Sequence, residues 1–310
     1  MRHIGRYRLD AVEGSGAFAT VWRGHDDELS IPVAVKVLAE NWSHHADVRE
    51  RFLEEARLLR RLQDDRVVRV HDVGVHEGQP YFVMDHVDGG TLADRADGSL
   101  EPGRALDLAA QAARAVAAVH EAGVLHRDVK PSNLLVERAD DAERVLVADL
   151  GSAKRLAEAS GFTVTTGTPA YMPPEQALGQ GIDERSDVYA LGVLTYVLVT
   201  GELPFEVAEG SALLVRPPES RPRPVGEHRD LDPTLASSID AVVLRATAHD
   251  PEQRHPTAAA LAEDLEAVAG GEVRTAPSPA HPGLPAWLVV VLALVVFGVA
   301  AGGTWAVLGS

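Results

Sequence analysis

His126-Arg127-Asp128-Val129-Lys130-Pro131-Ser132-Asn133 is the stretch on which the reading of this 310-residue chain turns. Five of its eight side chains carry or bind charge, and apolar segments flank it. Upstream, Leu108, Ala112, Ala115 and Val119 recur at helical spacing between Ala105 and Ala122, and Gly123 follows as a helix stop. Downstream, Leu134-Leu135-Val136 and Val145-Leu146-Val147-Ala148 read as strands, the second running into Asp149-Leu150-Gly151. Taken singly, Asp128 and Asn133 are ordinary turn residues. Their grouping with a lysine on one short loop, and with a second carboxylate just downstream, asks for more.

Phosphoryl transfer requires that set. One carboxylate accepts a hydroxyl proton, an ammonium balances phosphate charge, and an amide oxygen and a second carboxylate hold magnesium. The stretch resembles the catalytic loop of protein kinases, and Lys130 after Asp128 is similar to the serine/threonine branch. The resemblance implies that Asp128, Lys130 and Asn133 are catalytic and that Asn133 and Asp149 bind the metal.

Composition bounds the alternatives. No cysteine is present, which removes disulfides, zinc–thiolate sites and thiol nucleophiles. A net charge of -17 argues against a nucleic-acid partner, because phosphate backbones need basic surface. Lysine occurs only at Lys36, Lys130 and Lys154, among 29 basic residues. A compact ammonium at a phosphate site is not interchangeable with a guanidinium.

The rest of the chain adds further segments of the same family pattern. Tyr7 to Asp10 reads as a first strand, and Gly14-Ser15-Gly16-Ala17-Phe18-Ala19 resembles the glycine-rich loop that covers ATP phosphates, with Ala19 in place of the third glycine. Val33 to Val37 is a strand with one charge, Lys36, in an apolar run. Between Asp47 and Gln63, Val48, Phe52, Leu59 and Leu62 share a narrow helical stripe. Glu55 lies inside that stripe and Glu54 outside it. A carboxylate on an inward face needs a partner, and Lys36 is available. The resemblance further implies that Val12, Gly14, Ser15, Gly16, Val21 and Ala34 line the nucleotide, that Met84 is the gatekeeper, and that Asp85 and Val87 offer backbone contacts to adenine.

Beyond Asp149, the segment Ser152–Thr166 is rich in hydroxyls, and Arg127 offers a guanidinium for a phosphate there. Thr163, Thr165 and Thr166 are therefore candidate phosphorylation sites, the choice among them being open. Gly167 to Glu175 resembles a peptide-docking segment, with Thr168 as a substrate contact and Glu175 expected to pair with Arg254. Ser186 to Thr200 reads as a buried helix. Asp187 near its start is a first-turn carboxylate, which the resemblance also makes a tether for the catalytic-loop backbone. Phe205 to Thr234 is proline-rich and unassigned, and helices resume at Ser238 and run to about Ala269.

Residues 269–285 read as a proline-rich linker. Residues 286–308 hold no charge, have Trp287 and Trp305 near their ends, and as a helix would reach about 35 Å, enough to cross a bilayer. With no N-terminal signal and only Gly309 and Ser310 beyond it, this span predicts a tail-anchored, single-pass membrane protein with its catalytic region in the cytoplasm. Gly298 and Gly302 suit close approach of two such helices, and so a homodimer.

Residues 7–268 are thus expected to form an α+β, bilobal catalytic domain like that of membrane-anchored bacterial serine/threonine kinases. A small antiparallel sheet with one helix (7–87) would stand over a larger helical lobe (88–268), with ATP and Mg2+ (or Mn2+) between them and proteins bearing Ser/Thr as substrates. A nucleotide-binding scaffold without turnover and a small-molecule kinase are the alternatives. The filled catalytic positions argue against the first, and the peptide-docking segment against the second.

Overall fold

The computed structural model describes residues 2–139, 142–150, 169–205 and 216–275. The hydroxyl-bearing candidates Thr163, Thr165, Thr166 and Thr168, the third residue of Asp149-Leu150-Gly151, and the apolar stretch 286–308 lie outside the described residues. Among the described residues, no helix is long and apolar enough to cross a membrane.

The first half of the chain is a six-stranded antiparallel sheet in the order β1-β2-β3-β4-β6-β5. The strands are β1 (Arg2–Ile4), β2 (Tyr7–Ser15), β3 (Ala19–Asp26), β4 (Ile31–Leu38), β5 (Val70–His76) and β6 (Gln79–Asp85). From Val33 to Leu38 every residue of β4 is buried, since both faces of this central strand are covered. One face carries Ile4, Tyr7, Leu9, Val33, Val35, Val37, Tyr81 and Val83, with Trp22 against them. The other joins Ala34, Phe82 and Met84 to the main core. β1, which the sequence reading omits, extends the sheet at one edge by pairing with β2 through Ile4 opposite Tyr7.

Two helices follow β4, not one: a single turn, α1 (Glu40–Ser43), and the long α2 (Ala46–Arg61). α2 buries Val48, Phe52, Glu55, Ala56 and Leu59 against the sheet, where the Phe52 and Phe82 rings lie 5.1 Å apart. Its stripe is apolar except at Glu55.

The second half is mainly helical, with α3 (Pro102–Glu121), α4 (Pro174–Ala177), α5 (Glu184–Thr200), α6 (Pro233–Ala246) and α7 (Ala258–Ala269), plus a hairpin of β7 (Leu134–Ala139) and β8 (Ala142–Val147). Pro102 occupies the first turn of α3, and Gly123, just beyond its end, has φ +74°. α5 is buried on every side, from Ser186 to Val199, and forms the axis around which the other helices pack. Asp183 caps its start by accepting from Arg185 N, and Gly201 at φ +76° closes it. The helical region expected from Ser238 begins earlier, at Pro233. It is broken between Ala246 and Ala258, where Pro251, which has no N–H, starts a 3-10 turn.

Candidate active site

β4, α2, the 126–133 loop and the end of β8 bring their polar groups to one cleft between the sheet and the helical half. Lys36 on β4 has only 8% of its surface exposed, and its Nζ donates to Glu55 Oε1 at 2.8 Å and Asp149 Oδ2 at 2.7 Å. Burial works against the ammonium, but the two carboxylates outweigh it and hold Lys36 above the usual lysine range. Burial, reinforced by the nearby Asp149 charge and opposed by Lys36, pushes the Glu55 carboxyl up to about 7. One cation thus bridges strand, helix and loop.

The facing wall is the 126–133 loop. Asp187, in the first turn of α5, accepts from His126 N at 2.9 Å and Arg127 N at 2.7 Å, and from His120 Nε2 at 2.8 Å. Arg127 stands at φ +65°, a conformation costly for a non-glycine residue, which these bonds hold in place. Past that kink, Asp128 Oδ2 accepts from Lys130 Nζ at 2.9 Å and from Asn133 Nδ2 at 3.1 Å. The same amide nitrogen donates to Asp128 O at 2.8 Å, so the amide oxygen of Asn133 is the end left to face a ligand. Ala148 N donates to Asn133 O at 3.2 Å, which seats Asn133 beside the residue preceding Asp149.

An amide oxygen and a carboxylate are hard ligands of the kind magnesium takes when phosphate oxygens and water fill its remaining positions. No group of three or more His, Cys, Asp or Glu side chains suited to a metal occurs among the described residues. The donor set fits a nucleotide-bound magnesium ion better than a resident metal.

The roof of the cleft corrects one sequence expectation. Val12 pairs with Trp22, on the face of the sheet that looks away from the cleft, and is half exposed. It is not positioned to line a nucleotide. The cause is a register shift between Leu9 and Ala11, which sets Val12 opposite Trp22; a second, between Val12 and Gly14, brings Gly14 opposite Val21 on the cleft side. Glu13, the residue within the second shift, reaches the connection between the lobes, where His86 Nε2 lies 2.7 Å from its Oε1.

Ser15 pairs with Thr20, and Gly16 N donates to Ala19 O, closing the hairpin. Ala19 is an ordinary strand residue, and no positive φ is required of it. The hairpin tip is tied down by Trp42 Nε1, which donates to Ala17 O at 2.8 Å, and by Ala39 N donating to Phe18 O.

Ala34 and Met84 are cross-strand neighbours, both 4% exposed, at the back of the cleft. Asp85 turns its side chain outward to His71, at 2.7 Å, while its N–H bonds to Arg69 O. Val87 packs half-buried on the main core. Farther from the cleft, Arg254 donates to Glu175 through both terminal nitrogens, at 2.7 and 2.8 Å, and Ser186 Oγ adds a third bond. Burial would raise the Glu175 carboxyl, but Arg254 and Ser186 outweigh it and hold it below the usual range. Trp42, His120, Glu13 and His86 were not singled out from the sequence, because their contacts depend on a turn, a helix end and a bulge that leave no periodic trace.

The fold and this cleft define a bilobal protein kinase domain. Residues 7–265 match the family model described as the protein kinase domain, and the chain belongs to that family. It is 38% identical over 282 residues to a probable serine/threonine-protein kinase of Corynebacterium efficiens, covering 87% of this chain and 42% of that one. Against the serine/threonine-protein kinase PknB of Mycobacterium leprae it is 36% identical over 281 residues, covering 88% and 44%. The solved kinase domain of Mycobacterium tuberculosis PknI matches with TM-score 0.65 at 28% identity, over 86% of this chain and 98% of that one. The chain therefore spans less than half the length of the curated relatives it matches.

Proposed function

We propose that the chain is an ATP-dependent serine/threonine protein kinase, with residues 7–268 as its catalytic domain. The observation that carries this reading is the convergence of Lys36, Glu55 and Asp149 on one side of the cleft with Asp128, Lys130 and Asn133 on the other. The Lys36 ammonium, fixed by Glu55, orients the α- and β-phosphates of ATP. Asp128 accepts the proton of a Ser or Thr hydroxyl as its oxygen attacks the γ-phosphorus, and the bond to the β-phosphate oxygen breaks to release ADP. Lys130 beside Asp128 balances charge on the transferring group. Asn133 and Asp149 would hold magnesium (or manganese), which neutralises developing phosphate charge. The backbones of Asp85 and Val87 receive adenine, and Gly14, Ser15, Gly16 and Val21 cover the phosphates.

Three finer readings belong to the same proposal. Thr163, Thr165 or Thr166 receives an activating phosphate that Arg127 recognises, and Thr168 contacts the substrate. Residues 286–308 anchor the protein in the cell membrane with the kinase domain in the cytoplasm, and 269–285 are the spacer. Gly298 and Gly302 let two such spans pack as a dimer, which raises the local concentration for phosphorylation between copies.

Transfer of ³²P from ATP with magnesium tests the central reading. Asp128→Asn is expected to lower the rate by about 10²–10⁴. Mass spectrometry of the same autophosphorylation reaction is expected to find phosphate on one of the three threonines. Equal inactivity of wild type and variant would mark a nucleotide-binding scaffold, and label on a small molecule with none on protein would overturn the protein-kinase assignment.

A further inference from the structure

We infer that Glu13 and His86 form a latch across the mouth of the nucleotide cleft that slows nucleotide release. The inference rests on the kinase reading above and adds two residues that the expected catalytic set does not contain.

The latch originates in the backbone. β2 shifts its register against β3 twice, between Leu9 and Ala11 and again between Val12, opposite Trp22, and Gly14, opposite Val21. The residue left over at the second shift is Glu13. Bulges of this kind bend a strand and redirect the extra side chain. Here the residue in the bulge, Glu13, bonds His86, 73 residues later.

His86 stands between Asp85 and Val87 in the segment that joins the two lobes, and its side chain is 14% exposed, against 38% for Glu13. At 2.7 Å from a carboxylate oxygen, the imidazole Nε2–H is the donor of the pair. The bond thus ties the phosphate-covering hairpin to the interlobe segment on the open side of the cleft. A nucleotide seated under Gly14 and Gly16 with its base at Asp85 and Val87 would have this bond across its exit.

His71 does not compete for the role. It bonds Asp85 Oδ1 at 2.7 Å, so the two imidazoles take separate carboxylates. A partly exposed pair of this kind is a modest restraint, which suits a gate that must open in each cycle.

The test measures dissociation of a fluorescent (mant) ADP from the purified full chain by stopped flow, displaced with excess ATP. Glu13→Ala and His86→Ala are each expected to speed release by roughly two- to fivefold, the range for a single partly exposed polar pair. The double variant is expected to be no faster than either single one. Exchanging the partners, Glu13→His with His86→Glu, is expected to restore slow release. In parallel, KM for ATP rises in the single variants, whereas a purely structural contribution would lower Tm and leave release from the folded fraction at the wild-type rate. Additive effects in the double variant, or release unchanged in both single variants, would overturn the latch. Absence of nucleotide binding to the wild type would instead overturn the kinase reading on which the latch rests.

Discussion

His255 has no exposed surface, and its Nε2 lies 3.0 Å from Asp264 Oδ2. Burial, helped by the Arg245 charge and opposed by Asp264, lowers its pKa to about 4 from the ordinary 6.5. The folded protein therefore keeps this imidazole neutral. Above pH 6.5 neither state binds the proton and the full stability is present. Between 6.5 and about 4 the unfolded chain takes up a proton that the folded chain refuses, so stability is lost as pH falls, at up to roughly 1.4 kcal/mol per pH unit. Urea denaturation at pH 7 and pH 5 is expected to show this loss, and His255→Gln to flatten it by about 1–2 kcal/mol. An unaltered slope in the variant would mean that other groups dominate. The residues at the chemistry were legible because they obey simple constraints. Glu55 betrayed itself as a charge on an inward helical stripe, and Lys36 as the cation within reach. Glu13 obeys no such rule. Its contact comes from a one-residue register shift, and Val12, which the resemblance assigned to the nucleotide, is turned to the other face by an earlier shift in the same strand.

Among the elements, α5 is the most demanding. Its C-terminus meets the 97–98 loop backbone to backbone, and a Cβ at Gly201 would lie 2.7 Å from the carbonyl carbon and oxygen of Asp97. Arg229 Nη1 donates to both Val199 O and Gly98 O, at 2.8 and 2.9 Å, placing a cation at the helix end where the dipole favours it. Gly201→Ala is expected to cost about 1–2 kcal/mol for the left-handed conformation alone, with the backbone clash added, and to lower Tm measurably in calorimetry. A variant as stable as wild type would show that the loop yields freely. Element existence followed from periodicity for α2 and α3, and from an unbroken apolar run for α5. Boundaries were harder: the helical region after Ser238 splits because Pro251 cannot donate an N–H, and β1 was missed because three residues carry too short an alternation to read.

For the whole molecule, the fold class was written in motifs far apart in the chain, from Gly14 to Arg254, and no composition argument would have supplied it. The stretch 286–308 is legible only as an uncharged run of spanning length, because a membrane helix needs little sequence information beyond hydrophobicity. In co-sedimentation with phospholipid vesicles, the full chain is expected to pellet and a chain ending at Pro285 to stay in the supernatant. Equal partition would remove the membrane anchor from the proposal.

The Trp42 indole, bonded to Ala17 O on the hairpin tip, stands on the single turn that leads into the helix carrying Glu55. Roof and counter-charge are consequently rigged to one boom. A displacement of α2 that drew Glu55 from Lys36 would pull on the same hairpin, so that the ion pair and the cover of the cleft would loosen together.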